Sequence, residues 1–202
     1  MSKVVVNTHL TLDGVMQAPG QPDEDPRGGF TYGGWERPYA DHVMGAAIAE
    51  RMGQAQAYLL GRRTYENFAA FWPTQGPDNP FSEVMNGFRK FVASRTLQEP
   101  LAWNNSSLLE GDGVDAVAAL RRQPDGDLAI VGSGEFAQSL MAHNLVDEYV
   151  LLIHPLVVGS GRKLFADGGP TAKLRLVDSK TTTTGVLIAT YVPADGPAEP
   201  AA

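Results

Sequence analysis

The chain of 202 residues has no cysteine. Disulfides, thiolate nucleophiles and cysteine-ligated metals are therefore excluded. Long hydrophobic runs are missing too: nothing approaches the roughly 18 apolar residues of a membrane span. Positive charge is scarce, with 16 Lys and Arg against 23 Asp and Glu and a formal charge of −7. The basic residues are scattered, whereas nonspecific nucleic-acid binding needs a basic patch facing the phosphates. Neither a nucleic acid nor a membrane is expected as partner. The opening "MSKVVVN" reads as a strand rather than a secretion signal, and a cytoplasmic protein is expected.

What is present suffices for a core, since 43% of the residues are hydrophobic. There is no internal repeat, and the length suits one domain over 1–192. The proline- and alanine-rich segment 193–202 reads as a disordered tail. "VVVNTHLTLDG" predicts a first strand ending in a turn at Asp13 and Gly14. Residues 17–36 carry glycines, prolines and acids with no period. A structureless stretch of that length is usually functional or disordered. Phe30, Tyr32 and Trp35 favour a mobile lid, with the neighbouring glycine pairs as hinges. The alternative is a static loop anchored by those aromatics.

Beyond it, helical and strand patterns alternate. "YADHVMGAAIAERMG" predicts a helix and "AQAYLLG" a short buried strand. "RRTYENFAAF" opens another helix, and 73–80 is a loop. "FRKFVAS" and "AWNNSSLL" read as strands, "DAVAALRRQ" as a helix and "DLAIVG" as a strand. "EFAQSLMAHN" is a helix, "VDEYVLLIHPLVVG" a long strand, and "LRLVDSK" with "VLIATYV" a final pair. The alternation predicts an α/β protein of three layers, α/β/α, around a mostly parallel sheet with an antiparallel C-terminal edge.

Three turns at predicted strand ends suit an anion. "IVGSGEF" sets Gly132, Ser133 and Gly134 between a strand and a helix. There, free N–H groups carry partial positive charge and glycine lets a ligand approach. "LLGRRTYE" sets Gly61, Arg62, Arg63 and Thr64 at a second such junction, and "VASRTL" sets Ser94 and Arg95 past a third strand. Arginine matches phosphate bidentately, and ligands of parallel sheets lie beyond the carboxyl ends of the strands. Gly132, Gly134 and Ala137 also fit GxGxxA, but too late in the chain and without the acid after a second strand that a Rossmann unit needs.

With "LTLDGVMQAPG", "LLGRRTYENFAAFWP", "FVASRTL", "IVGSGEFAQSLM" and "LVDEYVLLIHPLVVGSGRKLF" on the page, the chain resembles the dihydrofolate reductase superfamily. The likeness is to its bacterial branch related to the reductase domain of the bifunctional riboflavin-biosynthesis deaminase/reductase. It spans nearly the whole chain in the family's order. It implies NADPH in a cleft at the sheet's carboxyl edge. Gly61, Arg62, Arg63 and Thr64 would meet the pyrophosphate and neighbouring ribose phosphate. Ser94 and Arg95 would lie near the 2′-phosphate, and Gly132, Ser133, Gly134, Glu135 and Phe136 would cradle the pyrophosphate. Val15 and Met16 would sit beside the nicotinamide, and Asn7 and Thr8 near the substrate; Trp35 is expected to reach the substrate as part of the lid.

His9 is either a proton donor or a packed histidine. Asp41 stands in for the substrate-holding carboxylate of dihydrofolate reductases, or merely complements a helix dipole. The "LPADL"-like segment of those enzymes is absent, as is the zinc-dependent deaminase half of the riboflavin enzyme. His42, His143 and His154 lack metal-ligand spacing and read as structural, so no metal is expected.

The expected function is NADPH-dependent hydride transfer to a small, heterocyclic or conjugated substrate. A riboflavin-pathway pyrimidine reductase and a non-catalytic nucleotide-binding protein are the alternatives. A homodimer is expected from the apolar run "YVLLIHPLVV" and from the pairing of related reductases.

Overall fold

Alternation along the first strand, β1 (Val4–Thr11), sets the two faces of the sheet. Val4 and Val6 point one way and Val5 the other, each at most 5% exposed. The computed structural model describes residues 1–123, 125–169 and 171–194. After β1 come α1 (His42–Gln54), β2 (Ala55–Gly61), α2 (Arg62–Phe71), α3 (Ser82–Gly87) and β3 (Arg89–Ala93). Then follow β4 (Ser106–Leu108), α4 (Val114–Leu120), β5 (Asp127–Val131), α5 (Gly134–Ala142), β6 (Glu148–His154), β7 (Leu174–Thr181) and β8 (Leu187–Pro193). The tail expected at 193–202 lies, from residue 195 on, outside the described residues.

One eight-stranded sheet runs in the order β4-β3-β2-β5-β1-β6-β8-β7. All pairs are parallel except β6 with β8 and β8 with β7. This is the expected mostly parallel sheet with an antiparallel C-terminal edge. From β1 to β4 the chain steps toward one edge, and from β4 to β6 it steps back. Right-handed crossovers then put the helices of the two halves on opposite faces. The packing agrees. Val114 and Val117 of α4 and Phe136, Ala137 and Leu140 of α5 cover Val4, Val6, Leu59, Leu128 and Ile130.

The opposite face is covered in two separate patches. Tyr65 of α2 and Met85 of α3 pack on Tyr58, Leu60 and Val92. Met44 of α1, with Ala47 and Ile48, packs on Val5, Val150, Leu152 and Ile188. Between these patches, past Val5 of β1 and Ala129 of β5, a gap is left over the carboxyl halves of the two middle strands, at Asn7 and Val131.

Three local expectations shift. α3 did not stand out in the sequence, because six residues hold too little of a helical period to see. "AWNNSSLL" contributes only Ser106–Leu108 to the sheet, since Trp103 instead leaves the strand path and buries itself against Tyr65. The apolar run in β6 needs no partner chain. β6 lies between β1 and β8 and is buried on both faces.

Candidate active site

The uncovered middle of that face is a cleft of about 1420 Å³. Its floor is Val5 and Asn7 of β1 with Ala129 and Val131 of β5, in register across the parallel pair. Its sides are α1 and α2, and it opens at the carboxyl ends of the strands. This is where a parallel sheet receives ligands.

Two of the three predicted turns meet there, because β2 and β5 are neighbours. The Gly61 N–H donates to Ser133 Oγ at 2.9 Å, and the Ser133 N–H donates to Thr64 Oγ1 at 3.1 Å. The two helix starts are thus stitched side by side. Gly132 sits at φ +61°, a conformation natural to glycine, and an added Cβ there would meet Thr64 at 3.4 Å. Neither α2 nor α5 has a side-chain cap. α1, by contrast, is capped. Two uncapped N-termini facing one cleft leave a set of N–H donors for an anion.

Positive charge converges on the same point. The Glu135 carboxylate lies 3.5 Å from Arg27, 3.4 Å from Arg63 and 3.2 Å from Arg162. Arg27 and Arg162 were not singled out in the sequence, since both lie on loops far from α5. Glu135 is mostly exposed, and its carboxylate is what holds the three guanidiniums together. Arg62 is less available than expected: it pairs with Glu66 at 2.9 Å, one helical turn on. Ser94 and Arg95 line the cleft, with Ser94 Oγ accepting the Thr96 and Leu97 N–H groups. Arg95 makes no ion pair among the described residues. Met16 and Phe136 also line the cleft, the Met16 thioether lying against Gly134.

Three predicted site residues are corrected. Asp41 caps α1: its carboxylate accepts the Met44 N–H at 2.8 Å, and the Thr183 N–H and hydroxyl at 2.6 Å each. These bonds hold its carboxyl down at about 2, and it does not line the cleft. Trp35 is buried, with Nε1 donating to the Gln17 carbonyl at 2.8 Å. Val15 is fully buried beside it, with Ala18 and Phe30. Neither reaches the cleft.

The loop that holds them is folded as an anchored wall rather than a hinged lid. The Gly34 N–H bonds the Ala18 carbonyl at 2.8 Å, and the Glu36 N–H bonds the Pro19 carbonyl at 3.1 Å. A Cβ at Gly33 would stand 2.2 Å from the Pro22 carbonyl oxygen, so this glycine permits a close approach rather than a hinge. Asn67 of α2 donates to the Glu24 carbonyl at 2.9 Å. Gln17, Glu24, Asp25 and Arg27 then form one side of the cleft.

At the other end stands a cluster the sequence did not disclose. Thr11 pairs with His154 across β1 and β6, which sets His154 diagonally beside His9 on the cleft face. His9 Nδ1 lies 3.0 Å from His154 Nε2 and 2.7 Å from Glu36 Oε2. His154 has no exposed surface and is boxed edge-on by Trp35 and Tyr39. Burial, and then the proximity of His9, push it down to about 4. Burial pushes the Glu36 carboxyl up, but His9 outweighs this and leaves it below its ordinary value. Asn7, His9 and Glu36 face the cleft, and Thr8 lines it from the strand between Asn7 and His9. His154 is thus a core histidine that also contacts His9 at the edge of the cleft.

An α/β sheet with a cleft at its carboxyl edge and two joined, uncapped helix starts defines the class: a dihydrofolate reductase-like fold. Residues 2–188 match the RibD C-terminal domain, and the chain belongs to this reductase-like family. It is similar to Bacillus subtilis YyaP, 26% identical over 197 residues and 94% of each chain. B. subtilis YwjB is 27% identical over 124 residues, 60% of this chain and 65% of that protein. Among solved structures, a Shewanella sp. PV-4 protein provisionally assigned to riboflavin biosynthesis superposes with TM-score 0.67 at 21% identity. That match covers 96% of this chain and 99% of the other. A pyrimidine reductase-like protein from Corynebacterium diphtheriae gives 0.63 at 13% identity, covering 96% and 93%.

Proposed function

We propose that the protein is an NADPH-dependent reductase that transfers hydride to a small, flat heterocyclic or conjugated compound. The observation that carries this reading is the pair of stitched, uncapped helix starts at Gly61–Thr64 and Gly132–Phe136, with Arg27, Arg63 and Arg162 gathered beside them. One such turn suits a single phosphate; two turns and three guanidiniums suit a pyrophosphate. Ser94 and Arg95, one strand further toward the sheet edge, suit an additional phosphate on the adenosine ribose. The remaining cleft, past Met16 to Asn7 and His9, has an apolar floor and a polar end. That combination fits a planar ring carrying hydrogen-bonding groups.

The cofactor supplies the hydride; the chain supplies orientation, exclusion of water and polar contacts. A pyrimidine substrate is favoured within this class by the C. diphtheriae relative, whose description is pyrimidine reductase-like.

Nucleotide titration tests the reading. Charge-assisted hydrogen bonds are worth roughly 1.5–3 kcal/mol, about 10- to 150-fold in affinity. Arg95→Ala is expected to weaken NADPH by a factor in that range and to leave NADH almost untouched. Equal losses for both nucleotides would remove Arg95 from the 2′-phosphate. A wild-type protein that binds a flavin tightly and NADPH not at all would overturn the cofactor.

A further inference from the structure

Hydride transfer leaves a substrate one proton short, and the hydrogen-bond count at the polar end of the cleft shows where that proton is held. His9 Nδ1 faces two groups at once, His154 Nε2 at 3.0 Å and Glu36 Oε2 at 2.7 Å. Glu36 Oε2 is buried and has no well-aligned hydrogen bond. Two proton arrangements are available to the pair of rings. If His154 donated, Nδ1 would present a lone pair to a carboxylate oxygen 2.7 Å away, and the contact would be repulsive. If His9 donates, the Nδ1–H points to His154 Nε2 and the carboxylate lies beside a proton-bearing nitrogen.

The second arrangement is attractive at both contacts, and more so with the whole ring charged. It puts the His154 proton on Nδ1. That nitrogen has no hydrogen-bond partner among the described residues, in a ring that meets Trp35 and Tyr39 edge-on. A weak N–H to ring contact is all that setting offers.

His9 Nε2 is then the atom left over. It has no partner among the described residues. The side chain keeps 20% of its surface, and the residue lines the cleft. We propose that His9 is the proton donor of the reduction, with His154 and Glu36 as positioning residues that fix the proton on Nδ1 and aim Nε2 at the substrate. The role rests on the reductase reading; the proton placement does not.

In the step, hydride leaves the nicotinamide for the electrophilic carbon of a C=N, C=O or conjugated C=C bond. The π pair moves to the far atom, which takes the proton from His9 Nε2. NADP⁺ and neutral His9 remain, and water in the cleft returns the proton. The charged and titratable groups in contact with His9 are Glu36 from the loop and His154 from β6, with Tyr39, from the turn before α1, packed on His154. Asp13, past the end of β1, is turned away onto Thr11 and the Gly159 N–H.

A cation shared by the three donor atoms is the rival arrangement. Zinc bonds of 2.0–2.1 Å at tetrahedral angles set ligand atoms about 3.3 Å apart. The observed 2.7 and 3.0 Å are hydrogen-bond lengths instead.

Nitrogen-15 spectra of the histidine rings decide, with His9 assigned by the signals lost in His9→Gln. In the wild type, the neutral His9 ring is expected to carry its proton on Nδ1, with Nε2 bare. Glu36→Gln, which keeps the shape, is expected to raise the share of the opposite neutral tautomer. A neutral His9 protonated at Nε2 in the wild type would overturn the proposal. So would stoichiometric zinc, found by elemental analysis, that shifts both rings. NADPH titration separates the two levels: failure there removes the reductase reading and leaves the tautomer result standing. Where a compound from a pteridine, pyrimidine, imine and enone panel is reduced, His9→Gln should bind NADPH normally. It should lose roughly 10²- to 10⁴-fold in kcat. An unchanged kcat would also overturn the proposal.

Discussion

Trp35 shows how one residue's role turns on a single hydrogen bond. Aromatic, preceded by a glycine pair and close to the mouth of the expected site, it invites a reading as a ring that stacks on substrate. Its indole N–H is spent on the Gln17 carbonyl, and its ring is buried with Val15, Ala18 and Phe30. It also forms one wall around His154. Trp35→Ala is therefore expected to cost about 3–5 kcal/mol of stability, the usual range for a large buried aromatic. NADPH affinity of the folded protein should stay nearly the same. Thermal melts with nucleotide titration check this, and an unshifted melting temperature would return Trp35 to the cleft. At this scale the two joined helix starts were legible in the sequence because glycine, arginine and threonine at a strand-to-helix junction carry a local signature. His154 and Glu36 were not. They reach His9 only through the β1–β6 register and the fold of the 17–36 loop, neither of which leaves a spacing to read.

Among the elements, the contrast between helix starts separates structure from function. α1 satisfies its first turn with its own Asp41, whereas α2 and α5 leave theirs open to the cleft. Helix α1 and its early acid were both visible in sequence. What the acid does was not, because Thr183, its second partner, lies on the turn between β7 and β8. The depressed Asp41 carboxyl gives a pH signature. A group whose folded value falls to about 2 from an ordinary 3.8 stabilises the fold fully above pH 3.8 and loses that contribution as pH falls through about 2. Asp41→Asn should melt lower at neutral pH, and the gap to the wild type should close between pH 4 and 2. A gap that persists at pH 2 would show that the charge is not what α1 uses.

For the molecule as a whole, the mostly parallel sheet and its antiparallel C-terminal edge follow from the alternation of elements and the closing strand pair, and the sequence carried that much; the strand order leaves no such local signal. The apolar run of β6 did not signal an interface, since central strands are apolar on both faces. The C-terminal edge is a different matter. β7 is an exposed edge strand, with Leu176 and Val177 at 50% and 46% exposure and Leu187 of β8 at 38%. Unpaired edges with apolar side chains invite a second strand. We expect two copies to associate along it, and light scattering at micromolar concentration should give twice the chain mass of 21.6 kDa. A clean monomer mass would remove the idea.

The split covering of the cleft face has a mechanical consequence. With α1 on one patch and α2–α3 on another, the cleft face resembles an arch with two separate haunches. A nucleotide seated on β1 and β5 would complete the span and tie the haunches together. Ligand at a hundred times its dissociation constant stabilises a fold by about 2.7 kcal/mol. That gain should be uneven here: amide exchange is expected to slow most in α1 and the start of α2, which flank the gap. α4, on the fully covered face, should hardly change. Uniform slowing across both faces would mean that the span was already closed.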